Sequence, residues 1–159
     1  MSRRGRAQPR KILPDPVYRS VLVAQLINRV MKSGKKQLAQ RKVYAAFDLI
    51  KKKTKKGPLE VFQKAIGQIK PRMEVRSRRV GGAAYQVPRL VRGRRAESLA
   101  FRWLILFARA RPNKEYHSFE EKLAAEILDA CQKTGGAVGR KEEIEKIADA
   151  NRVFAHLRW

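Results

Sequence analysis

Apolar residues recur along this chain with two different periods, and the change of period divides it. Val23, Leu26, Ile27, Val30 and Met31 follow helical spacing until Gly34 stops the run. Asp15-Pro16 ahead of them has the form of a helix start, a side-chain acceptor followed by proline at the first helical position. A second helix is predicted over about 36–53, with Ala39, Val43, Ala46, Phe47 and Ile50 on its inner face. Lys51, Lys52 and Lys53 stand at its C-terminus, where cations complement the helix dipole. Gly57-Pro58 closes that helix and opens a third, striped by Leu59, Phe62, Ala65, Ile66 and Ile69 and ended by Pro71.

Over residues 72–79 the period falls to two. Met73, Val75 and Ser77 alternate with Glu74, Arg76 and Arg78; after Gly81-Gly82, Tyr85 and Val87 alternate with Gln86 and Pro88. That pattern predicts a β-hairpin at about 72–89. Two strands with so little apolar surface do not sustain themselves, so a projecting arm supported by its base and its ligand is expected. Helix returns after Gly93, where Ala96, Leu99, Ala100, Trp103, Leu104, Phe107 and Ala108 form the strongest apolar stripe of the chain. Ser118-x-x-Glu121 is a capping box, followed by Leu123, Ala124, Ile127, Leu128 and Cys131. Gly135-Gly136 ends that helix, and a sixth is predicted over about 141–151 with Ile144, Ile147 and Ala148 buried. The fold class is mainly α: a six-helix bundle with a protruding two-stranded β-hairpin. A disordered basic arm over 1–14 precedes one helical domain over 15–159.

Charge changes the picture most. The chain carries 38 Lys and Arg against 14 Asp and Glu, a net charge of +24. Self-repulsion of that size opposes folding, so it makes sense when a polyanion neutralises it in the working state. Phosphates do so with release of condensed counterions; six to ten such contacts give a salt sensitivity of about 10³–10⁵ in affinity. The cations are unevenly placed. Residues 1–114 hold 31 basic and 5 acidic side chains, whereas 115–159 hold 7 and 9. The first two thirds therefore face the polyanion. An anionic membrane fits less well, because the basic residues do not belong to one interfacial helix and the longest apolar run spans only 103–108.

Four groups of cations carry the candidate chemistry. Arg76 and Arg78 project together from the even-numbered positions of the first strand, joined by Arg79 and framed by Arg72 and Arg89. Guanidinium groups fork onto phosphates and stack on bases, and Tyr85 adds a stacking surface. The alternative is a charged edge that only prevents aggregation. Arg92, Arg94 and Arg95 crowd the start of the fourth helix, where positive charge opposes the dipole by about 0.3–1 kcal/mol per group, which implies a compensating anion. Arg95, Arg102 and Arg109 share one face, drifting about 20° per heptad. Lys32, Lys35 and Lys36 surround Gly34; a nucleotide-binding loop would need glycine at Arg29 and Ser or Thr at Lys36, so backbone-phosphate contact is the better reading. At the C-terminus Arg152, His156, Arg158 and Trp159 read equally as a docked tail or a second RNA contact.

Enzyme chemistry finds no foothold. The histidines are His117 and His156, without metal-ligand spacing, and the single Cys131 suits the apolar face of its helix. Glu142, Glu143 and Glu145 form a solvated acidic patch near a helix start. No metal and no cofactor are expected. Two rival classes remain beside an RNA-binding protein: a DNA-binding architectural protein, which lacks a recognition-helix signature, and an RNA-modifying enzyme, which lacks a catalytic cluster.

At the hairpin the sequence becomes specific. Pro58-Leu59-Glu60-Val61-Phe62, then Glu74-Val75-Arg76-Ser77-Arg78-Arg79-Val80-Gly81-Gly82-Ala83 and Tyr85-Gln86-Val87-Pro88, resemble small ribosomal subunit protein seven of the bacterial type. So do Asp15-Pro16, Gly34-Lys35-Lys36 and the ending Ala150-Asn151-Arg152-Val153-Phe154-Ala155-His156-Leu157-Arg158-Trp159. The resemblance runs from about residue 12 to the end. It implies a six-helix bundle with a protruding hairpin that binds the 3′ major domain of the small-subunit rRNA and nucleates assembly of the subunit head. It also implies a place at the subunit interface, with exit-site tRNA and the mRNA exit path nearby and neighbouring head and platform proteins as partners. A cytoplasmic ribosome is implied, with no homo-oligomer. By resemblance Arg3, Arg4, Arg6, Arg10 and Lys11 of the arm, Lys32, Lys35 and Lys36, and Arg92, Arg94, Arg95 and Arg102 hold rRNA. The hairpin tip, with Arg76, Arg78, Arg79 and Tyr85, and the C-terminal helix approach tRNA and mRNA, and Arg152, His156 and Arg158 form a C-terminal RNA contact. The segment Glu143-Ile144-Glu145-Lys146-Ile147-Ala148 departs from the family's usual Thr-His-Arg/Lys-Met type, and residues 112–118 are somewhat longer than is typical.

Overall fold

The computed structural model describes residue 5 and residues 11–157. Arg3, Arg4, Arg6, Arg10, Arg158 and Trp159 lie outside the described residues. Within them are α1 (Val21–Val30), α2 (Lys36–Thr54), α3 (Pro58–Ile69), β1 (Met73–Val80) and β2 (Ala83–Leu90). They are followed by α4 (Arg94–Ala110), α5 (Phe119–Cys131), α6 (Gly136–Ala150) and a 3-10 turn (Arg152–Leu157). The architecture is mainly helical with one antiparallel hairpin, as the two periods predict.

The stripes meet in one core to which all six α-helices contribute, among them Leu26, Phe47, Phe62, Leu104, Ile127 and Val138. Phe62 joins this interior together, its ring 5.4 Å from Phe47 and 6.3 Å from Phe101. α5 is the central helix and packs against α2, α3, α4 and α6. Its burial departs from the expected one-sided face. All residues from Lys122 to Ile127 are buried, while Leu128 and Cys131 are only half-buried. A helix enclosed on several sides has no solvent face to give it a 3.6-residue stripe.

Two element boundaries also differ from expectation. Asp15 does receive backbone N–H groups, from Val17 at 3.2 Å and Tyr18 at 3.0 Å, but it caps a single turn rather than a helix. Arg19 breaks the turn with φ of 48°, and α1 begins at Val21. α6 begins at Gly136, five residues before the predicted start near Lys141. The second glycine belongs to the new helix because it packs closely: a Cβ on Gly136 would stand 2.4 Å from Phe107 Cδ1. Ala137 and Val138 are buried behind it and Ala148 at the far end, whereas Ile144 is half-buried and Ile147 is exposed, contrary to expectation.

In the hairpin, Val80 pairs with Ala83, leaving a two-residue Gly81-Gly82 turn with φ of 57° and 91°. Both values lie in the left-handed region that a tight hairpin turn requires and that glycine accepts without strain. The hairpin has more support than its base. α6 packs against both strands and the 3-10 turn against β2, with the Phe154 ring 5.1 Å from Tyr85. Sequence spacing is silent on that contact, because it joins segments about seventy residues apart.

Candidate nucleic-acid interface

α1 and α4 lie side by side, and their cations line a string of connected surface depressions. The first, between the two helices, has Arg29, Arg94, Ser98 and Phe101 in its walls, together with Ile12, the neighbour of exposed Lys11. The second is lined by Arg29, Arg102, Leu106 and Arg109. The third is lined by Arg109, Phe119, Leu38, Lys32 and Lys35. Arg29 belongs to the first two and Arg109 to the last two, so the three form one strip. Between Arg94 and Arg109 it follows α4 for about 22 Å at 1.5 Å per residue, less than one turn of a nucleic-acid duplex.

Local structure fixes these side chains. Ser33 and Gly34 take positive φ of 50° and 73°, which folds the 32–36 turn so that Lys35 sits at the N-terminus of α2 with Lys36 on its first turn. No acidic residue stands in that first turn to offset them. Lys32, Lys35 and Lys36 are all exposed. Arg29 is steadied by Ser98 Oγ, to which its Nη2 donates at 2.6 Å. Arg109 donates to the Val30 carbonyl at 3.3 Å and sits 5.9 Å from the centre of the Phe119 ring, an arrangement that ties the end of α4 to α1 and α5.

At the opposite end the strip reaches the hairpin through Glu74. This carboxylate, on a side chain 10% exposed, accepts Arg76 Nε on one oxygen at 2.8 Å and Arg95 Nε on the other at 2.7 Å. The register pairs Arg76 with Val87 and Arg78 with Tyr85 on one face, while Arg79 pairs with Ala84 on the other. Arg79 therefore does not join Arg76 and Arg78 on their face. Arg72 and Arg89 remain exposed at the base, and the Arg72 backbone N–H donates to Glu145 at 2.9 Å. Tyr85 is half-buried against Phe154. Arg152 and His156 are exposed on the 3-10 turn, where His156 Nδ1 lies 2.8 Å from the Val153 carbonyl.

Many of the acidic side chains are engaged with partners in the fold, and Asp15, Glu74 and Glu126 are buried. Glu126, 1% exposed, accepts Arg111 Nε at 2.9 Å, Arg111 Nη2 at 2.7 Å and the Ala137 N–H at 2.9 Å. Asp129 pairs with the same guanidinium. Burial opposes the Arg111 charge, but the hydrogen bonds it donates to Asp129 and Glu126 outweigh that and raise its pKa further above the ordinary arginine range. Lys122, also buried, donates to the Arg111 carbonyl and to Asn113 Oδ1, each at 2.6 Å. Glu120 holds Lys42, Glu121 completes the capping box with Ser118, and Glu143 pairs with Arg140. This network was not legible from residue spacing. It leaves the α1–α4 strip with an excess of positive charge.

Thus Lys32, Lys35, Arg94 and Arg102 share one surface, with Lys11, Lys36 and Arg92 exposed on adjoining segments. The hairpin and C-terminal groups, Arg76, Arg78, Arg79, Tyr85, Arg152 and His156, gather around β1, β2 and the 3-10 turn. Arg29 is a strip residue that spacing alone did not single out; its place depends on α1 meeting α4. Among the described residues no three of His, Cys, Asp and Glu converge on a metal site, and no helix is long and apolar enough to cross a membrane.

Comparison with known proteins identifies the family. The family model described as ribosomal protein S7p/S5e matches residues 2–152. Proteins named small ribosomal subunit protein uS7 from Thermoanaerobacter sp. (strain X514) and Mycoplasmopsis agalactiae are 55% and 54% identical to the chain over 159 residues, covering all of both partners. A third, from Moorella thermoacetica, is 54% identical over the same length. The chain belongs to the ribosomal protein S7p/S5e family and is a structural constituent of the small ribosomal subunit, not an enzyme.

Proposed function

We propose that this protein binds the 3′ major domain of the small-subunit rRNA and nucleates assembly of the subunit head. The observation that carries this reading is the α1–α4 strip: cations from two helices and the 32–36 turn line connected depressions, while most acids are engaged elsewhere. A helical body holds these cations at fixed spacing, so they read the shape and backbone of folded RNA rather than a base sequence. Lys11, Lys32, Lys35, Lys36, Arg92, Arg94, Arg95 and Arg102 make the rRNA contacts, with Arg3, Arg4, Arg6 and Arg10 of the N-terminal segment adding to them. The hairpin, with Arg76, Arg78, Arg79 and Tyr85, lies near exit-site tRNA and the mRNA exit path, and Arg152, His156 and Arg158 add a C-terminal RNA contact. The setting is a cytoplasmic ribosome, with head and platform proteins as neighbours. Footprinting on small-subunit rRNA across a salt series, with duplex DNA as competitor, tests the reading. Protection confined to the 3′ major domain and resistant to DNA is expected. Equal competition by duplex DNA would overturn it.

A further inference from the structure

The third depression of the strip is unlike the rest. It is bounded by cations, Lys32, Lys35 and Arg109, yet its floor is apolar: Val30 and Phe119, with Leu38 half open at the lip at 51% exposure. A surface built only to attract phosphates has no use for an exposed leucine beside an aromatic ring within its most cationic turn. A surface that takes a planar apolar body carrying a phosphate does. Water on Leu38 and Phe119 is displaced when such a body enters, and the surrounding cations neutralise the attached phosphate. Lys42 also borders the depression but is engaged by Glu120 at 3.0 Å, whereas among the described residues Lys32 and Lys35 make no ion pair within 4.0 Å. The open volume is about 320 Å³, enough to admit a base.

We infer that the depression between the 32–36 turn and the start of α5 is a nucleobase slot, which receives one unstacked base of a single-stranded RNA segment while Lys32, Lys35 and Arg109 hold its flanking phosphates. This inference rests on the RNA-binding reading above and adds the class of nucleotide recognised there. Unpaired bases are splayed onto apolar and aromatic side chains in this way, and stacking tolerates any base identity.

The test compares two polyanions on the full-length protein: a single-stranded RNA oligonucleotide and inorganic polyphosphate, which has the charge but no base. Leu38→Ser, at an exposed position, is expected to weaken oligonucleotide binding by on the order of fivefold and to leave polyphosphate binding unchanged. Lys32→Ala with Lys35→Ala is expected to weaken both. If Leu38→Ser weakens neither ligand, or both equally, the slot is refuted while the RNA-binding reading stands. If the unsubstituted protein fails to bind the 3′ major domain, that broader reading fails instead. Circular dichroism of Leu38→Ser identical to that of the parent excludes misfolding as the cause of any loss.

Discussion

Glu74 and Arg95 join the hairpin to the fourth helix, carboxylate oxygen to guanidinium Nε at 2.7 Å, at a point where the Glu74 side chain is only 10% exposed. The other oxygen of Glu74 holds Arg76, so one buried acid orients two arginines of different elements. Replacing Glu74 with Gln keeps the shape and removes the charge that makes both bonds strong. The expected loss of stability is about 1–2 kcal/mol. It should be local: hydrogen exchange ought to quicken in β1 and β2 and stay slow in α2 and α3. A uniform loss of protection across the helices would show that the contact serves the whole fold and not the hairpin junction.

Arg111, Glu126 and Asp129 make a second, deeper ion cluster, with the Glu126 and Arg111 side chains 2% and 16% exposed. Removing Glu126 takes the buried partner from Arg111 and leaves only the 40% exposed Asp129 to compensate it, at about 3 kcal/mol, the low end for breaking a buried pair. Glu126 also accepts the Ala137 N–H, so its loss frees the start of α6. Chemical denaturation of Glu126→Ala should therefore show a midpoint shift of that order, and Asp129→Ala, at the 40% exposed position, a smaller one. Equal effects at the two sites would contradict the burial argument.

Gly136 and Gly139 lie in the same helix and differ in surroundings. A Cβ on Gly136 meets the Phe107 ring at 2.4–3.1 Å, whereas one on Gly139 meets nothing within 4 Å. Gly136→Ala should destabilise by about 1–3 kcal/mol through overpacking. Gly139→Ala should stabilise by about 0.5–1 kcal/mol, because alanine restricts the unfolded chain and favours helix. Thermal melts of the two variants should move in opposite directions.

The contrast shows how far the sequence carries. Helical period marked α2 and α3 nearly to the residue, since Ala39, Val43, Phe47 and Phe62, Ile66, Ile69 bury one face each. The change to period two marked the hairpin, and Ser118-x-x-Glu121 marked the start of α5. What escaped depends on long-range contact. Gly136 reads as a helix stop until Phe107 is seen above it, and Asp15 reads as a helix cap until its other oxygen is found bonded to the Tyr44 hydroxyl. Lys122 and Glu126 look like solvent-facing charges because nothing in their spacing reveals that α5 is enclosed. The cationic candidates were visible as residue types, but Arg29 entered only when α1 and α4 were placed together.

Asp15 also makes alkaline stability a test of packing. Tyr44 donates its hydroxyl to Asp15 Oδ1 at 2.7 Å; burial first, and this bond second, push its pKa up to about 12 from an ordinary value of 10.0. Tyr18 is raised in the same direction by burial, then by Asp48 and Asp15. Below pH 10 the phenol is protonated in both folded and unfolded chains, so the stabilisation is fully present. As pH rises from 10 towards 12 the unfolded phenol ionises first, and folding stability is lost across that window. Denaturation series should show the parent falling more steeply than Tyr44→Phe over this range. Parallel curves would mean that the hydroxyl is not held against Asp15 in solution.

The strip makes a quantitative claim about salt. If Arg29 and Arg102 each neutralise one phosphate, log K against log salt should lose about 0.7–0.9 of slope for each residue removed. Both are exposed, and among the described residues only Arg29 has a hydrogen-bond partner, Ser98, so Arg29→Ala with Arg102→Ala should leave the melting temperature within a few degrees of the parent. The matched control removes the same charge elsewhere: Arg140 and Lys146, both exposed on α6, replaced by Ala. Net charge then falls by two in both variants. Long-range attraction alone predicts equal changes for the two pairs, whereas direct phosphate contact predicts a slope change confined to Arg29 and Arg102. Equal slopes would locate the RNA somewhere other than the groove between α1 and α4.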